Sequence, residues 1–309
     1  MPTWSEILSE FTHDGTVANN IDAVRRKYLT HLRNHTGRNC ILYFSGWLHK
    51  NETPPVLLSI NDEDMQALME VSYGLRGTKL DLILHSPGGS AEAAESIIYY
   101  LRSRFSDIRV IVPQLAMSAA TIIACAADEL VLGKHSFLGP TDPQFVISTA
   151  LGRRAIPAQA ILDQFKRAQK ECADPRKLAS WLPMLSQYGP DLISQCEFAL
   201  KMSQNLVRTS LESYMFKDDH DGINKSREVS EWLADHVNFM SHSRHISRSD
   251  IEDHRLKVLR LEQDPILQDL VLSVFHATTH TCNLSSAVKI VESDLGRAFI
   301  KVHSPPSLN

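Results

Sequence analysis

Apolar and polar positions along the first half of the chain switch between two periods. The run Leu82-Ile83-Leu84 is continuous, breaks at Pro87-Gly88-Gly89, and resumes as Ala91, Ala94, Ile97, Ile98 and Leu101 at helical spacing. A continuous apolar run reads as a buried strand, and the spaced positions as one face of a helix over 90–105. A second run, Val110-Ile111-Val112, breaks at Pro113-Gln114. Small residues then fill Ala119 to Ala127, and Glu129-Leu130-Val131-Leu132-Gly133 predicts another strand. This strand, helix, strand order predicts parallel neighbours joined by a right-handed crossover.

The same reading extends in both directions. Helices are expected over 21–34 and 62–73, with strands at 40–44 and 79–84. Beyond the central segment come helices over 158–170 and 191–214, the latter with Ile193, Cys196, Leu200, Leu206 and Leu211 spaced for burial. Lys217 to Gly222 is the best linker. Helices over 226–239 and 264–279 follow, then a hairpin of 288–291 and 298–302 turning at Asp294-Leu295-Gly296. The expected organisation is a helical lead-in over 1–36, a core over 37–216, a small C-terminal α+β extension over 223–303, and a disordered tail over 304–309.

Loops that leave the carboxyl ends of adjacent parallel strands lie on one edge of a sheet, so Gly89 and the start of the Ser118 helix are expected to converge. Backbone amides at a helix N-terminus stabilise a developing negative charge, and losing one such donor costs about 10²–10³ in rate. A serine among small residues beside them is a candidate nucleophile. Taken singly, Pro-Gly-Gly is an ordinary turn and Ser118 is helix packing; their order along the chain is what joins them.

The succession Ser86-Pro87-Gly88-Gly89, helix, strand, Met117-Ser118-Ala119-Ala120, alanine-rich helix, strand, then Leu138-Gly139-Pro140-Thr141-Asp142-Pro143-Gln144 resembles the Clp-fold serine peptidases. Their relatives include ClpP, signal peptide peptidase A and the enoyl-CoA hydratase superfamily, and the serine dehydrogenase proteinase family matches best. The wider resemblance covers about 38–215, and the closer one runs through Ser241-His242-Ser243-Arg244 to the C-terminus. It implies an α/β fold with a ClpP/crotonase-like core of repeated ββα units. It also implies Ser118 as nucleophile and oxyanion amides at Gly88, Gly89 and Ala119.

The base stays open. Where ClpP carries a histidine after the strand that follows the nucleophile helix, this chain reads Gly139-Pro140-Thr141-Asp142-Pro143, and His135 precedes that stretch. Signal peptide peptidase A uses a lysine, which serves as a base when burial lowers its pKa from ~10.4 toward neutrality. A Ser-Lys dyad is therefore expected, with Lys166 and then Lys170 ahead of Lys177 and Lys201, because Lys166 adjoins the apolar side of its helix set by Ile161, Leu162 and Phe165. Asp142 either orients the base, binds a substrate amine or caps a turn. His85, beside the glycine loop, is an alternative base or a satisfied strand-end histidine. His242, Arg244 and His245 form a polar cluster to which a gating or assembly role, but no reaction, is assigned.

Composition narrows the function classes. With 32 basic and 36 acidic residues among 309, the net charge of −4 and pI near 6.4 provide no positive field for nucleic acid. Arg153-Arg154 and Arg244 to Arg248 are short clusters without interleaved aromatics, and read as solvated loops. The five cysteines are widely spaced and free of any CxxC pair, so neither a disulfide nor a zinc framework is visible. His276 and His280 lie four apart on a helix without an HExxH pattern, which favours a structural or solvated role. No cofactor or metal is called for. Without a signal-peptide core or a run of ~18 apolar residues, a reduced, cytoplasmic location and no transmembrane segment are expected.

These readings converge on a cytoplasmic serine peptidase that acts on protein or peptide substrates, most simply an endopeptidase, and the resemblance implies a homo-oligomer. A crotonase-like acyl-CoA enzyme, in which the same amides polarise a thioester, and a catalytically inactive oligomeric scaffold are the alternatives.

Overall fold

The continuous apolar strands are buried on both faces because each lies between two layers of helices. The structure is a computed structural model that describes residues 3–13, 16–17, 21–149 and 152–304. In chain order the strands are β1 (Thr12–His13), β2 (Thr16–Val17), β3 (Asn39–Ser45), β4 (Lys79–His85), β5 (Asp107–Val112), β6 (Leu115–Ala116) and β7 (Glu129–Leu132). They continue as β8 (Phe137–Leu138), β9 (Gln144–Thr149), β10 (Gly152–Pro157), β11 (Ile246–Ser247), β12 (Val258–Arg260), β13 (Ala287–Ser293) and β14 (Ala298–Val302). The helices are α1 (Trp4–Ser9), α2 (Ala23–Thr36), α3 (Pro55–Leu58), α4 (Asp64–Ser72), α5 (Ala91–Arg104), α6 (Ala119–Cys125) and α7 (Ala158–Glu171). The rest are α8 (Pro175–Leu185), α9 (Leu192–Ser213), α10 (Gly222–Ala234), α11 (His236–Phe239), α12 (Arg248–Asp253) and α13 (Pro265–Leu284).

The fold is mixed α/β around a seven-stranded sheet of order β12-β7-β5-β4-β3-β13-β14. Strands β12, β7, β5, β4 and β3 are parallel, and β13 runs antiparallel to both β3 and β14. Alternate residues of each parallel strand serve opposite cores. Ile41, Tyr43, Leu82, Leu84, Val110, Val112, Leu130 and Leu132 join the cluster that holds α4, α5, α6 and α9. Leu42, Ile83, Ile111 and Val131 face the other way, onto Leu29 and Leu32 of α2 and Val271 and Val274 of α13. Each fully buried Leu, Ile or Val contributes roughly 1.5–3 kcal/mol, so both layers are held by the sheet rather than by each other.

The hairpin expected near the C-terminus is β13–β14, with Gly296 at φ +75 in its turn. Residues of the segment expected as a C-terminal extension supply both margins of the sheet: β12 beside β7, and β13–β14 beside β3. The helix foreseen over 226–239 is instead two helices, because Asp235 caps α11 by accepting from the Val237 and Asn238 amides. Of the tail foreseen over 304–309, residues 305–309 lie outside the described residues. Among the described residues, no helix is long and apolar enough to cross a membrane.

Candidate active site

Strand β4 ends at His85, and the chain then turns through Ser86-Pro87-Gly88-Gly89 before Ser90 caps α5 by accepting from the Ala93 amide at 3.0 Å. Strand β5 runs on through β6 to Met117 and Ser118, where α6 begins. The two breaks are stitched together: Ser86 N donates to Leu115 O at 3.1 Å and Met117 N to Ser86 O at 3.0 Å. Gly88, at φ +94, packs so closely that a Cβ on it would lie 2.5 Å from Met117 O and 2.7 Å from Ser118 Cβ. Only glycine lets the chain approach the serine in this way. Gly89 meets the opposite wall, where a Cβ would collide with the backbone of Ile60.

Ser118 itself holds φ +53 and ψ −119, a conformation that costs a non-glycine residue about 1–3 kcal/mol and clusters at functional sites. Its hydroxyl makes no hydrogen bond among the described residues, and Ser118 lines a pocket of about 630 Å³ together with Gly88, Gly89, Ala119 and His242. The wall includes Ile122, Phe145, Ala199 and Met202.

The three amides expected as oxyanion donors differ. Gly88 N donates to Ser86 Oγ at 3.2 Å, so it is already engaged. The amides of Gly89 and Ala119 make no hydrogen bond among the described residues, and both border the pocket. Gly88 N is thus engaged within its own loop, and the missing Gly88 side chain is what admits the close approach to Ser118.

The lysines expected as base are not brought to the pocket. Lys166 and Lys170 are exposed on α7, whose buried side, Ala158, Ile161 and Leu162, packs on Cys196 of α9. A lysine base depends on burial, and neither has it. Lys177 and Lys201 are exposed as well. His85 is also corrected. By strand alternation it falls on the α13 side of β4, stacked among Phe44, Trp47 and Phe275 with ring centroids 4.3 to 5.0 Å away. Full burial, then repulsion from His49, push its pKa down to about 3, and it does not line the pocket.

Asp142 pairs with His242, a residue to which the sequence assigns no reaction. The carboxylate is 1% exposed, and its Oδ1 lies 2.7 Å from His242 Nδ1. His236 Nδ1 stands 3.3 Å from Oδ2 on the other side. The loop is fixed by Thr141 N donating to Leu233 O at 2.8 Å and by Ser203 Oγ donating to Thr141 O at 2.6 Å. His242 arrives through topology: β11 pairs antiparallel with β8, Ile246 opposite Leu138, which folds the segment after α11 over the Asp142 loop. Of the polar cluster, His242 alone lines the pocket, while the His245 ring lies 5.3 Å from that of Phe137. The described residues include no group of three His, Cys, Asp or Glu side chains arranged to hold a metal.

A hydroxyl, an imidazole tied to a buried carboxylate, and two free amides, one at the start of α6 and one in the loop before α5, share one pocket. That set is able to carry nucleophilic acyl transfer. Comparison with known proteins agrees in kind: residues 54–246, which contain all of these groups, match the family described as ClpP-like SDH-type serine proteinase. Two uncharacterized proteins of Methanocaldococcus jannaschii are similar. MJ0137 is 31% identical over 182 residues, covering 59% of this chain and 54% of its own, and MJ1495 is 34% identical over 181 residues, covering 58% and 53%. The chain thus spans about half the length of the curated relatives it matches.

Proposed function

The chain belongs to the ClpP-like SDH-type serine proteinase family, and on that premise we propose that it hydrolyses peptide bonds through Ser118, with His242 as general base, Asp142 orienting it, and the Gly89 and Ala119 amides holding the oxyanion. The observation that carries this reading is the 2.7 Å contact between His242 Nδ1 and buried Asp142, in the pocket that Ser118 also lines. With Nδ1 committed to the carboxylate, Nε2 is the ring nitrogen left to take the serine proton. Ser118 Oγ then bonds to the carbonyl carbon, and the carbonyl oxygen takes its negative charge between the two amides. The C–N bond breaks as the imidazolium proton passes to the leaving amine. Water, deprotonated by the same imidazole, attacks the acyl carbon and releases the acid with Ser118 restored.

The apolar wall of Ile122, Phe145, Ala199 and Met202 suits an apolar substrate side chain. Endopeptidase action on proteins or peptides, the repeated ββα ClpP/crotonase-like core and a homo-oligomeric assembly belong to the same proposal and rest on the resemblance; a cytoplasmic site of action belongs to it too and rests on the sequence pattern alone. An acyl-CoA substrate has less support, since no lysine or arginine among the described residues lines the pocket to meet its phosphates. A fluorophosphonate probe with mass-spectrometric mapping tests the reading. Labelling at Ser118 that is lost in His242→Ala is expected, whereas full peptide hydrolysis by a folded Ser118→Ala protein would overturn it.

A further inference from the structure

Lys289 is fully buried and lies on β13, beyond the family-matched residues 54–246, with Ser45 of β3 as its register partner. Three oxygens hold its ammonium: the Ser59 carbonyl at 2.7 Å, and Asp64 Oδ1 and Oδ2 at 2.8 and 3.0 Å. An ammonium has three donors, so this set saturates it and leaves none for catalysis. Asp64, also fully buried, accepts further from Tyr43 OH at 2.7 Å and from Asn61 N at 3.0 Å. Buried ion pairs are weak sources of stability, because desolvation offsets their attraction. What this one grips is more telling: the residues on either side of Ile60.

Ile60 is the residue against which the glycine loop lies. Its N–H donates to Gly88 O at 2.8 Å, and its carbonyl accepts from Ser90 N at 3.0 Å. In a planar trans peptide the C=O and N–H point in opposite directions. Pinning Gly88 O on Ile60 therefore aims the Gly89 N–H away from Ile60, in a loop whose Gly88 packs directly against Ser118.

We propose that Lys289 and Asp64 are positioning residues for the oxyanion amide: they clamp Ser59 and Asn61, which fixes the Ile60 peptide and, through it, the plane of the Gly88–Gly89 peptide. The inference rests on the reading of Gly89 N as an oxyanion donor. A merely structural pair would affect folding while leaving the direction of that amide, and hence transition-state binding, unchanged.

The test uses the full chain with Lys289→Met, which keeps the apolar stem, and Tyr43→Phe, which removes one donor from Asp64 and leaves the ion pair. Turnover of a fluorogenic peptide is measured beside the affinities of a peptidyl aldehyde, whose hemiacetal oxygen occupies the oxyanion position, and of the matching peptide carboxamide. Lys289→Met should lower kcat and aldehyde affinity together, by about 10- to 100-fold, a fraction of what loss of a whole donor costs. KM and carboxamide affinity should stay within about twofold, since ground-state contacts are untouched. Tyr43→Phe should move the same pair by about fivefold or less, and should speed hydrogen exchange at the Ser90 amide. Equal losses for aldehyde and carboxamide, or a folded Lys289→Met with unchanged kcat, would overturn the clamp. If Lys289→Met does not fold, unchanged kcat and unchanged Ser90 exchange in Tyr43→Phe overturn it. Ser118→Ala in the same assay separates the two failures: an inactive Ser118→Ala beside a fully active Lys289→Met removes only the clamp, while an active Ser118→Ala removes the hydrolytic reading and the clamp together.

Discussion

His242 and Asp142 stand 100 residues apart in the chain and 2.7 Å apart in space, imidazole Nδ1 to carboxylate Oδ1. The carboxylate is closed off from solvent while the imidazole reaches the pocket. Replacing Asp142 by Asn would offer a donor where the imidazole needs an acceptor and would favour the wrong tautomer. Asp142→Asn should therefore lower kcat by roughly 10²–10⁴ with little change in KM. Steady-state kinetics on a peptide, beside a thermal melt to verify folding, check this; a loss under threefold would remove Asp142 from the mechanism.

Lys166→Ala and Lys170→Ala, singly or combined, should leave peptide turnover within about twofold, because surface substitutions away from the reacting groups change little. A pH-rate profile that shifts in the double variant would return the base to α7.

Gly89→Ala should sharply lower activity and lower stability at once. The new methyl would collide with Ile60, forcing the loop and its amide out of place. The rate loss expected from a misplaced oxyanion donor is on the order of 10²–10³. Full activity in a folded Gly89→Ala protein would contradict this placement of the loop.

Ser118 holds a positive φ, so relieving that strain should stabilise the protein at the expense of turnover. Ser118→Gly is expected to raise Tm by about 2 °C, the shift that roughly 1 kcal/mol produces in a large domain, and to lose all fluorophosphonate labelling. A melting point at or below that of the unaltered protein would show that the turn carries no strain.

Stability should fall on mild acidification. Burial holds the His85 pKa at about 3, below the ordinary histidine value near ~6.5. Between these values the unfolded chain binds a proton that the folded chain refuses. Its contribution is therefore complete above about pH 6.5 and is lost progressively as pH falls toward 3, up to about 5 kcal/mol at roughly 1.4 kcal/mol per unit. Burial lowers the pKa values of His135, His276 and His280 too, which adds in the same direction. Urea midpoints at pH 7.5 and 5 should differ clearly for the unaltered protein and less for His85→Phe; identical slopes in the two proteins would refute the attribution.

The meeting of Gly88 with Ser118 was legible in the sequence because it follows from contiguous segments. Two adjacent parallel strands, each read from an unbroken apolar run, oblige their following loops to share an edge. His242 was not legible. It reaches Asp142 through the two-residue pairing of β11 with β8, and a strand that short leaves no periodic signal. The exposure of Lys166 depends on which side of α7 packs against α9, a tertiary choice that helical spacing bounds but does not decide. The hairpin β9–β10 beside the pocket was missed although a signal existed: the strand-forming run Phe145-Val146-Ile147 is followed by Gly152 and then by Ala155-Ile156, the order of a hairpin.

Both margins of the central sheet come from the last quarter of the chain, since β12 lies along β7 and β13 along β3. A fragment cut after Ile246, where the family match ends, would leave those two inner strands with raw hydrogen-bonding edges and bare apolar flanks, the arrangement that invites aggregation. The serine's surroundings and strands β12 to β14 should accordingly melt as one cooperative unit, and a piece ending at Ile246 would be a poor surrogate for the chain.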